Sequence, residues 1–335
     1  MTDGAAGRQG PELRIDPLSG QRAIVAGARA GRPGGELRAT PAEPLDPTTD
    51  PFADGHEDRT PPELYAVRAN GGGPDTPGWS VRVVPNLYPA LAPDASPPLP
   101  QANPDLFWAS PAVGAHEVIV NAPDPVTSLA ELSPEQVATA MDVWRTRMCA
   151  HADASYVHLI VNERREAGAS LPHTHAQLYA LQFVPAPIAR ERERFGAYAT
   201  RTTGGNLLAD LVQEEVRQRE RIVAIDDDAV LMAPYGARLP FQLMLAPRVP
   251  RMRFEDDGPT GAPLLHEGLS RLARRLGASP PLNMWVRTAP SGAEHFCWRI
   301  DIVPRLTHLA GLELGAGVHL NIVPPEQVAA ELREL

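Results

Sequence analysis

The chain has 335 residues, of which 43% are hydrophobic, so it can bury a sizeable core and is too long for one typical domain. Its formal net charge is −10. An acidic surface repels phosphate backbones, which argues against a general nucleic-acid-binding protein. All 31 basic residues are arginines, which excludes chemistry that depends on a P-loop lysine or a Schiff-base lysine.

Cysteine usage and apolar runs bear on where the protein acts. Cys149 and Cys297 are far apart in sequence and belong to no metal-binding motif. The first ten residues lack the apolar core of a signal peptide, and no apolar run reaches the ~18 residues that a membrane helix needs. We therefore expect a cytoplasmic, reduced protein that binds neither membranes nor nucleic acids.

The first half of the chain predicts strands around a single helix. Short apolar or alternating runs predict strands at 22–26, 79–85, 115–121, 156–162 and within 170–181, and the stretch 36–65 is rich in loops. Ser133, Pro134 and Glu135 are typical of a helix start, so a helix is expected from there to about Ala152.

The second half repeats this order of elements. Helices are predicted at 205–221, 264–276 and 325–335, and strands at 229–234, 241–247, 284–287 and 296–303. Strands in groups separated by single helices indicate an α+β fold with a mainly antiparallel sheet and flanking helices. The order strand, strand, helix, strand, strand occurs twice, so we predict two similar halves, residues 1–195 with the chemistry and residues 196–335 completing the site.

The chemistry is expected in the run from Leu171 to Gln177, which contains a His-x-His-x-Gln pattern. Residues two apart on a strand point to the same face, so His173, His175 and Gln177 would line one side of it. Just before them, Asn162 and the small-residue loop 166–170 could bring backbone N–H groups and the hydroxyl of Ser170 close to a phosphate.

A neutral imidazole in such a place can attack phosphorus and carry the group as a phosphoramidate. Donors around the nonbridging oxygens would stabilise the transition state. Gln177 is a neutral donor, so we expect it to favour transfer over hydrolysis. Two other interpretations stay open for the histidines alone: a zinc site, as in zinc hydrolases, or two incidental histidines.

The run Asn162…Gly168-Ala169-Ser170-Leu171-Pro172-His173-Thr174-His175-Ala176-Gln177 resembles the active-site signature of galactose-1-phosphate uridylyltransferases. This family is a branch of the histidine-triad superfamily in which glutamine replaces the third histidine, and the form here is closest to bacterial and ADP-glucose phosphorylase-like members. The resemblance extends over nearly the whole chain, through 16–20, 57–63, 84–91, 114–118, 303–307 and 310–315. It implies two histidine-triad-like halves.

The resemblance also implies roles for individual residues. His175 would be the nucleophile and Gln177 its supporting donor, with His173 beside them. The implied substrate contacts are Asn162, Gly168 and Ser170 near the phosphates, Arg29 and Arg32 on phosphates either within the chain or across a homodimer interface, Asn86 and Tyr88 near the nucleoside, and Glu313 on a sugar hydroxyl. Alternatives stay open: a surface charge for each arginine, core packing for Tyr88, and a capping carboxylate for Glu313.

The chain departs from the family at its structural zinc. Asp50-Pro51-Phe52-Ala53 stands where the family has its cysteine pair, and Pro125 stands at a later histidine position. In the second half, Arg299 and Asp301 replace further family histidines. One remaining ligand, His173, cannot hold a tetrahedral zinc. We therefore predict no metal and no other cofactor. If a metal did bind, Asp50 and His56 would be the residues that take the place of the missing ligands.

The resulting functional hypothesis is a nucleotidylyltransferase. It would move a nucleoside monophosphate between a nucleotide sugar and a sugar 1-phosphate through nucleotidyl-His175. UMP is the first candidate for the transferred group. Two alternatives remain: a nucleotide-sugar phosphorylase that uses inorganic phosphate as acceptor, and a nucleotide-binding protein without turnover. Glu313 slightly favours the sugar acceptor.

Overall fold

The computed structural model describes residues 10–31, 37–99, 103 and 105–335. These residues form two sheets and six helices, which confirms the α+β prediction. The larger sheet is antiparallel throughout and has the strand order β3 (Tyr65–Val67), β4 (Val81–Pro85), β5 (Gly114–Val120), β7 (His175–Leu181), β6 (Tyr156–Glu163), β11 (Leu282–Arg287), β12 (Arg299–Pro304), β10 (Leu243–Pro247), β9 (Ala229–Met232) and β8 (Ile222–Ile225).

The two halves of the chain contribute equivalent strands, in equivalent order, on either side of the central pair β6–β11. Outward from this pair, the first half contributes β6, β7, β5, β4 and β3, and the second contributes β11, β12, β10, β9 and β8. Along the chain, helix α1 (Pro134–Cys149) follows β5 and precedes β6, and α4 (Ala262–Leu276) follows β10 and precedes β11. The boundary at 195/196 stays a prediction, and it falls inside helix α2 (Ala186–Arg201).

The remaining elements sit around this sheet. Helices α3 (Leu207–Gln218), α5 (Gly311–Ala316) and α6 (Pro325–Arg333) complete the helical set of the described ranges. A small sheet joins β1 (Glu12–Ile15) and β2 (Arg22–Val25) to β13 (Val318–Asn321), which runs parallel to β2. None of the helices in the described ranges has the length and apolar character needed to traverse a bilayer.

Helix α1 begins where its sequence predicts. The hydroxyl of Ser133 accepts a hydrogen bond from the backbone N–H of Gln136, and Pro134 occupies the first turn, where its missing N–H has no cost. The buried side of α1, which includes Val137, Met141 and Trp144, packs with α4 against one face of the sheet. The opposite face of the sheet is therefore left for polar side chains.

Alternation along β7 decides which residues face that opposite side. Ala176, Leu178 and Ala180 are buried in the main core, so His175 and Gln177 point away from it. The strand predicted within 170–181 begins only at His175. The expected alignment of His173 with them is therefore wrong, because His173 precedes the strand.

The buried carboxyl of Glu163 anchors the end of β6. It is 2% exposed and accepts hydrogen bonds from the Ser128 hydroxyl and the Leu129 N–H, both at 2.7 Å. Burial, against the effect of these two bonds, raises the pKa of Glu163 to about 7 from an ordinary 4.5. A raised pKa in the folded state means that its contribution to stability is complete below about pH 4.5 and is lost as the pH rises through about 7.

Glu163→Gln should therefore flatten the pH dependence of stability. Between pH 4.5 and 7.5 the wild type should lose about 3 kcal/mol of unfolding free energy that the variant keeps. Urea denaturation at four pH values measures this difference. Glu193→Gln, an exposed carboxylate on α2, is the control and should follow the wild type. Parallel pH profiles for Glu163→Gln and the wild type would contradict the assignment.

Candidate active site

A cavity of about 580 Å³ opens on the polar face of the sheet in front of His175 and Gln177. Its volume is within the range of small-molecule sites. Three of the predicted substrate contacts, Asn86, Tyr88 and Ser170, line it together with the two catalytic candidates. Apolar walls come from Phe52, Val84, Pro85, Leu87, Val118 and Leu171.

His175 is held so that one specific ring nitrogen can react. Its Nδ1–H donates to the backbone carbonyl of His173 at 2.7 Å, which leaves the Nε2 lone pair available at the cavity. Burial and the neighbouring His173 lower the pKa of His175, against the opposite effects of that hydrogen bond and of Asp50. The imidazole is only 5% exposed, and at neutral pH it is an uncharged nucleophile.

The amide of Gln177 is oriented by two donors on its oxygen. Ala90 N–H donates to His116 Nδ1 at 3.1 Å, so the proton of His116 is on Nε2, which donates to Gln177 Oε1 at 3.0 Å. The hydroxyl of Tyr179 donates to the same oxygen at 2.9 Å. With its oxygen occupied, Gln177 presents its NH₂ group for an acceptor in the cavity, such as a phosphoryl oxygen.

Strand periodicity accounts for this arrangement. Tyr179 follows Gln177 by two residues, and His116 lies on β5 beside β7, with Tyr179 stacked on it at 4.1 Å between ring centroids. Burial lowers the pKa of His116, although its hydrogen bond to Gln177 acts in the opposite direction. The lowered pKa keeps the ring of His116 uncharged. Both residues were absent from the predicted site, although the alternation along 115–121 and 175–181 places them on its face.

His173 lies behind the cavity wall and does not line it. It is 1% exposed, with Nδ1 at 2.6 Å from Asp50 Oδ2 and Nε2 at 2.8 Å from the carbonyl of Ala122. The carbonyl can only accept, so Nε2–H donates to it, and Nδ1 lies at hydrogen-bonding distance from the carboxylate. Although burial acts in the opposite direction, the hydrogen bonds from His173 and the Phe52 N–H lower the pKa of Asp50.

This environment does not fit the family's zinc. Both nitrogens of His173 already have protein partners, and the Nδ1 of His56 bonds to the carbonyl of Asp50 at 2.7 Å. Tetrahedral zinc requires four ligands, usually thiolates or imidazoles. Within the described ranges, no group of three or more His, Cys, Asp or Glu side chains is placed to hold a metal.

Four other predicted contacts, Asn162, Gly168, Glu313 and Arg29, do not line this cavity. Asn162 accepts from the Asn283 amide at 2.8 Å, and Gly168 ends a short 3₁₀ turn with φ +92°. Glu313 caps its own helix by accepting the N–H of Ala310, as its capping alternative foresaw. Arg29 lies in a separate 3₁₀ helix (Gly27–Gly31), and Arg32 is outside the described residues.

Two further residues of the cavity were missed from the sequence. Arg59 lines it, and its guanidinium donates to the carbonyl of Thr48 at 2.7 Å. Phe52 packs its ring edge-on against His175 at 5.4 Å between centroids. Tyr88, for which core packing was the alternative, is 86% exposed at the mouth of the cavity.

Known proteins resemble the chain over its whole length. The family model described as galactose-1-phosphate uridyl transferase, N-terminal domain, matches residues 5–185, and a domain family of unknown function matches 134–334. ADP-glucose phosphorylase of Arabidopsis thaliana is 29% identical over 98% of this chain and 93% of its own length. A probable galactose-1-phosphate uridylyltransferase of Drosophila melanogaster is 30% identical, covering 97% and 95%.

A solved structure agrees with these relatives. The crystal structure of an ADP-glucose phosphorylase from Arabidopsis thaliana with bound ADP-glucose superposes with a TM-score of 0.78 at 27% identity. It covers 97% of this chain and 99% of that one. The two chains therefore share one fold from end to end.

Proposed function

Since the chain belongs to the galactose-1-phosphate uridylyltransferase family, whose model matches more than half of it, we propose that His175 carries a nucleoside monophosphate from a nucleotide sugar to a sugar 1-phosphate. The relatives are enzymes that transfer nucleotidyl groups, and this chain is a nucleotidyltransferase. UMP is the first candidate for the transferred group. The observation that carries the proposal is the Nε2 lone pair of His175 beside the oriented amide of Gln177.

The reaction has two displacements at the same phosphorus. His175 Nε2 attacks the α-phosphorus, an N–P bond forms, and the P–O bond to the sugar 1-phosphate breaks. The carbonyl of His173 stabilises the positive charge on the ring through Nδ1–H, and the Gln177 amide donates to a nonbridging oxygen. A phosphate oxygen of the acceptor then attacks, which breaks the N–P bond and restores the neutral imidazole.

Inorganic phosphate is the second candidate acceptor. This nucleotide-sugar phosphorylase activity is favoured by the similarity to ADP-glucose phosphorylase over 98% of the chain. Glu313, which slightly favoured a sugar acceptor, makes its hydrogen bond to its own helix and does not line the cavity. The two activities share the first displacement and differ in the second.

A homodimer is part of the proposal. Arg29, Asn162 and Glu313 lie outside the cavity that holds His175, so a second copy would have to bring phosphate and sugar contacts to it. We also propose a cytoplasmic location and catalysis without a bound metal, because the residues around His173 do not fit zinc. About one zinc per chain in metal analysis would overturn the last point.

One experiment tests the proposal and separates the acceptors. The protein is incubated with UDP-glucose or ADP-glucose, and intact mass reports a covalent uridylyl or adenylyl adduct. Galactose 1-phosphate or inorganic phosphate is then added to the adduct. Discharge by the sugar phosphate supports the main proposal, and discharge by phosphate alone supports the phosphorylase. No adduct from any nucleotide sugar would refute both.

Tyr179→Phe should slow transfer without removing any group that touches phosphorus. It deletes one of the two donors that orient Gln177, so we expect the rate of adduct formation to fall about tenfold, the value of one lost hydrogen bond. In a Gln177→Ala background the same substitution should have little effect, because its partner is gone. Stopped reactions analysed by mass spectrometry give all four rates.

Tyr156→Phe is the matched control for this prediction. Tyr156 lies on the neighbouring strand β6, and its buried hydroxyl has no hydrogen-bond partner within the described part of the chain. It should react at the wild-type rate. The prediction fails if Tyr179→Phe and Tyr156→Phe lower the rate of adduct formation equally. It also fails if Tyr179→Phe has its full effect in the Gln177→Ala background. Either result would show that the hydroxyl acts through packing alone.

A further inference from the structure

A second cavity, of about 310 Å³, lies on the same face of the sheet but in the other half of the chain. It is formed by the strands around β12, the start of α2 and the turn between β1 and β2. This turn packs against Gly236, where a Cβ atom would come within 2.7 Å of the Cα of Asp16. The cavity shares no lining residue with the one at His175.

The lining is rich in charged side chains of both signs, with arginines in a slight majority. Four arginines and three acids face the cavity, in a chain whose net charge is −10. The acids are satisfied by internal partners. Glu191 binds both terminal nitrogens of Arg299, at 3.0 and 3.1 Å, and Asp301 accepts from Arg299 Nε and Trp285 Nε1. Asp16 accepts from the Leu18 N–H and from Ser19.

The other arginines have donors to spare. Within the described ranges, the guanidinium of Arg238 has no ion pair or hydrogen bond, and it lies over the ring of Trp285, 5.8 Å from the centroid. The Nε of Arg287 is buried without a hydrogen bond and lies 3.7 Å from Glu191 and Asp301. Arg190 is exposed at the rim of the cavity.

Electrostatics also favour an added negative charge. Burial lowers the pKa of Arg238 against the opposite effects of Asp301 and Asp16, and the like charges of Arg287 and Arg299 add to the lowering. A half-buried cation without a direct partner is costly, and an anion would reduce that cost. A group with several oxygen acceptors suits the forked donors of arginine, as phosphate does.

The geometry points to a second ligand site in this cavity, one that binds a small phosphate-bearing molecule through Arg238, Arg287 and Arg190. The volume exceeds that of a phosphate group and is at the lower end for metabolite pockets. The ligand is therefore a phosphomonoester of sugar size or free phosphate.

This site is separate from the acceptor site of the transfer reaction. Gln177, Ile160, Trp285 and Asp301 form one row across strands β7, β6, β11 and β12. Three strand spacings separate its ends, about 14 Å at ~4.8 Å each. An oxygen held by Arg238 cannot reach a phosphorus on His175, so the ligand is an additional one and the inference does not depend on the proposed function.

Calorimetric titration at low ionic strength tests the site with inorganic phosphate and with glucose 6-phosphate. We expect Arg238→Ala to weaken binding at least about tenfold and Arg190→Ala to weaken it several-fold. His175→Ala should bind as the wild type does, which places the ligand away from the nucleotide cavity. Tighter binding of glucose 6-phosphate identifies an organic ligand, and equal affinities identify free phosphate; either result supports the site.

Arg192→Ala is the matched control. It removes the same charge from the same helix, two residues from Arg190, at an exposed position that does not line the cavity. Its affinity should equal that of the wild type. The site is refuted if neither probe binds, if Arg192→Ala weakens binding as much as Arg190→Ala, or if binding is lost in His175→Ala but kept in Arg238→Ala. Because Arg190 is exposed, its variant keeps the test valid even if Arg238→Ala does not fold.

Discussion

His175→Ala should give no covalent nucleotidyl adduct and should lower the rate of nucleotidyl transfer by at least about a thousandfold. The side chain supplies the lone pair that attacks phosphorus, and the methyl group of alanine cannot replace it. Its Nδ1 bond to the His173 carbonyl and its place in the cavity leave Nε2 as the reacting atom. Intact mass after incubation with UDP-glucose or ADP-glucose reads the adduct, and initial rates read the transfer.

His295→Ala provides the control, since this histidine is exposed and lies outside both cavities. It should form the adduct at the wild-type rate. Circular dichroism of His175→Ala should match the wild type, because the imidazole makes one hydrogen bond and its loss leaves the sheet pairing of β7 intact. An adduct that persists in His175→Ala would assign the nucleophile to another residue.

Local sequence patterns predicted the parts of the site that depend on neighbours in the chain. Alternation placed His175 and Gln177 on one face, and helix-start chemistry located α1 at Ser133. The same reasoning failed at His173, because the strand begins two residues later than the apolar pattern suggested. Helix α2 was also missed, although Ile188, Phe195 and Ala199 form its buried face at helical spacing.

The rest of the site depends on contacts between distant segments. His116 reaches Gln177 only because β5 pairs with β7, across 61 positions of sequence. Asp50 meets His173 over 123 positions. The N-terminal strands β1 and β2 pair with β13 near the other end of the chain. Periodicity within a segment carries no information about such pairings. The family resemblance led to Asn86, Tyr88 and Ser170, which line the cavity, and also to Asn162 and Glu313, which do not.

Asp50→Ala should be the substitution with the largest effect on stability, at about 3–5 kcal/mol, because it leaves the His173 ring buried without its charged partner. The loss should reach activity as well. The carbonyl of His173 orients His175, so a shift of His173 would move the nucleophile. Denaturant unfolding measures the first effect, and adduct formation under conditions where the variant is folded measures the second.

A double-mutant cycle distinguishes the pair from general damage to the loop. In a His173→Ala background, Asp50→Ala should cost much less, since no buried partner remains to be left unpaired. Asp46→Ala removes an exposed carboxylate from the same loop, one that accepts hydrogen bonds from the N–H and hydroxyl of Thr48, and should cost about 1 kcal/mol or less. Equal losses for Asp50→Ala with and without His173 would mean that the loop needs Asp50 for the Phe52 N–H bond and that the Asp50–His173 bond contributes little. If instead the cycle shows strong coupling, a carboxylate and an imidazole hold the loop beside the nucleophile at the place where the family resemblance implies a metal.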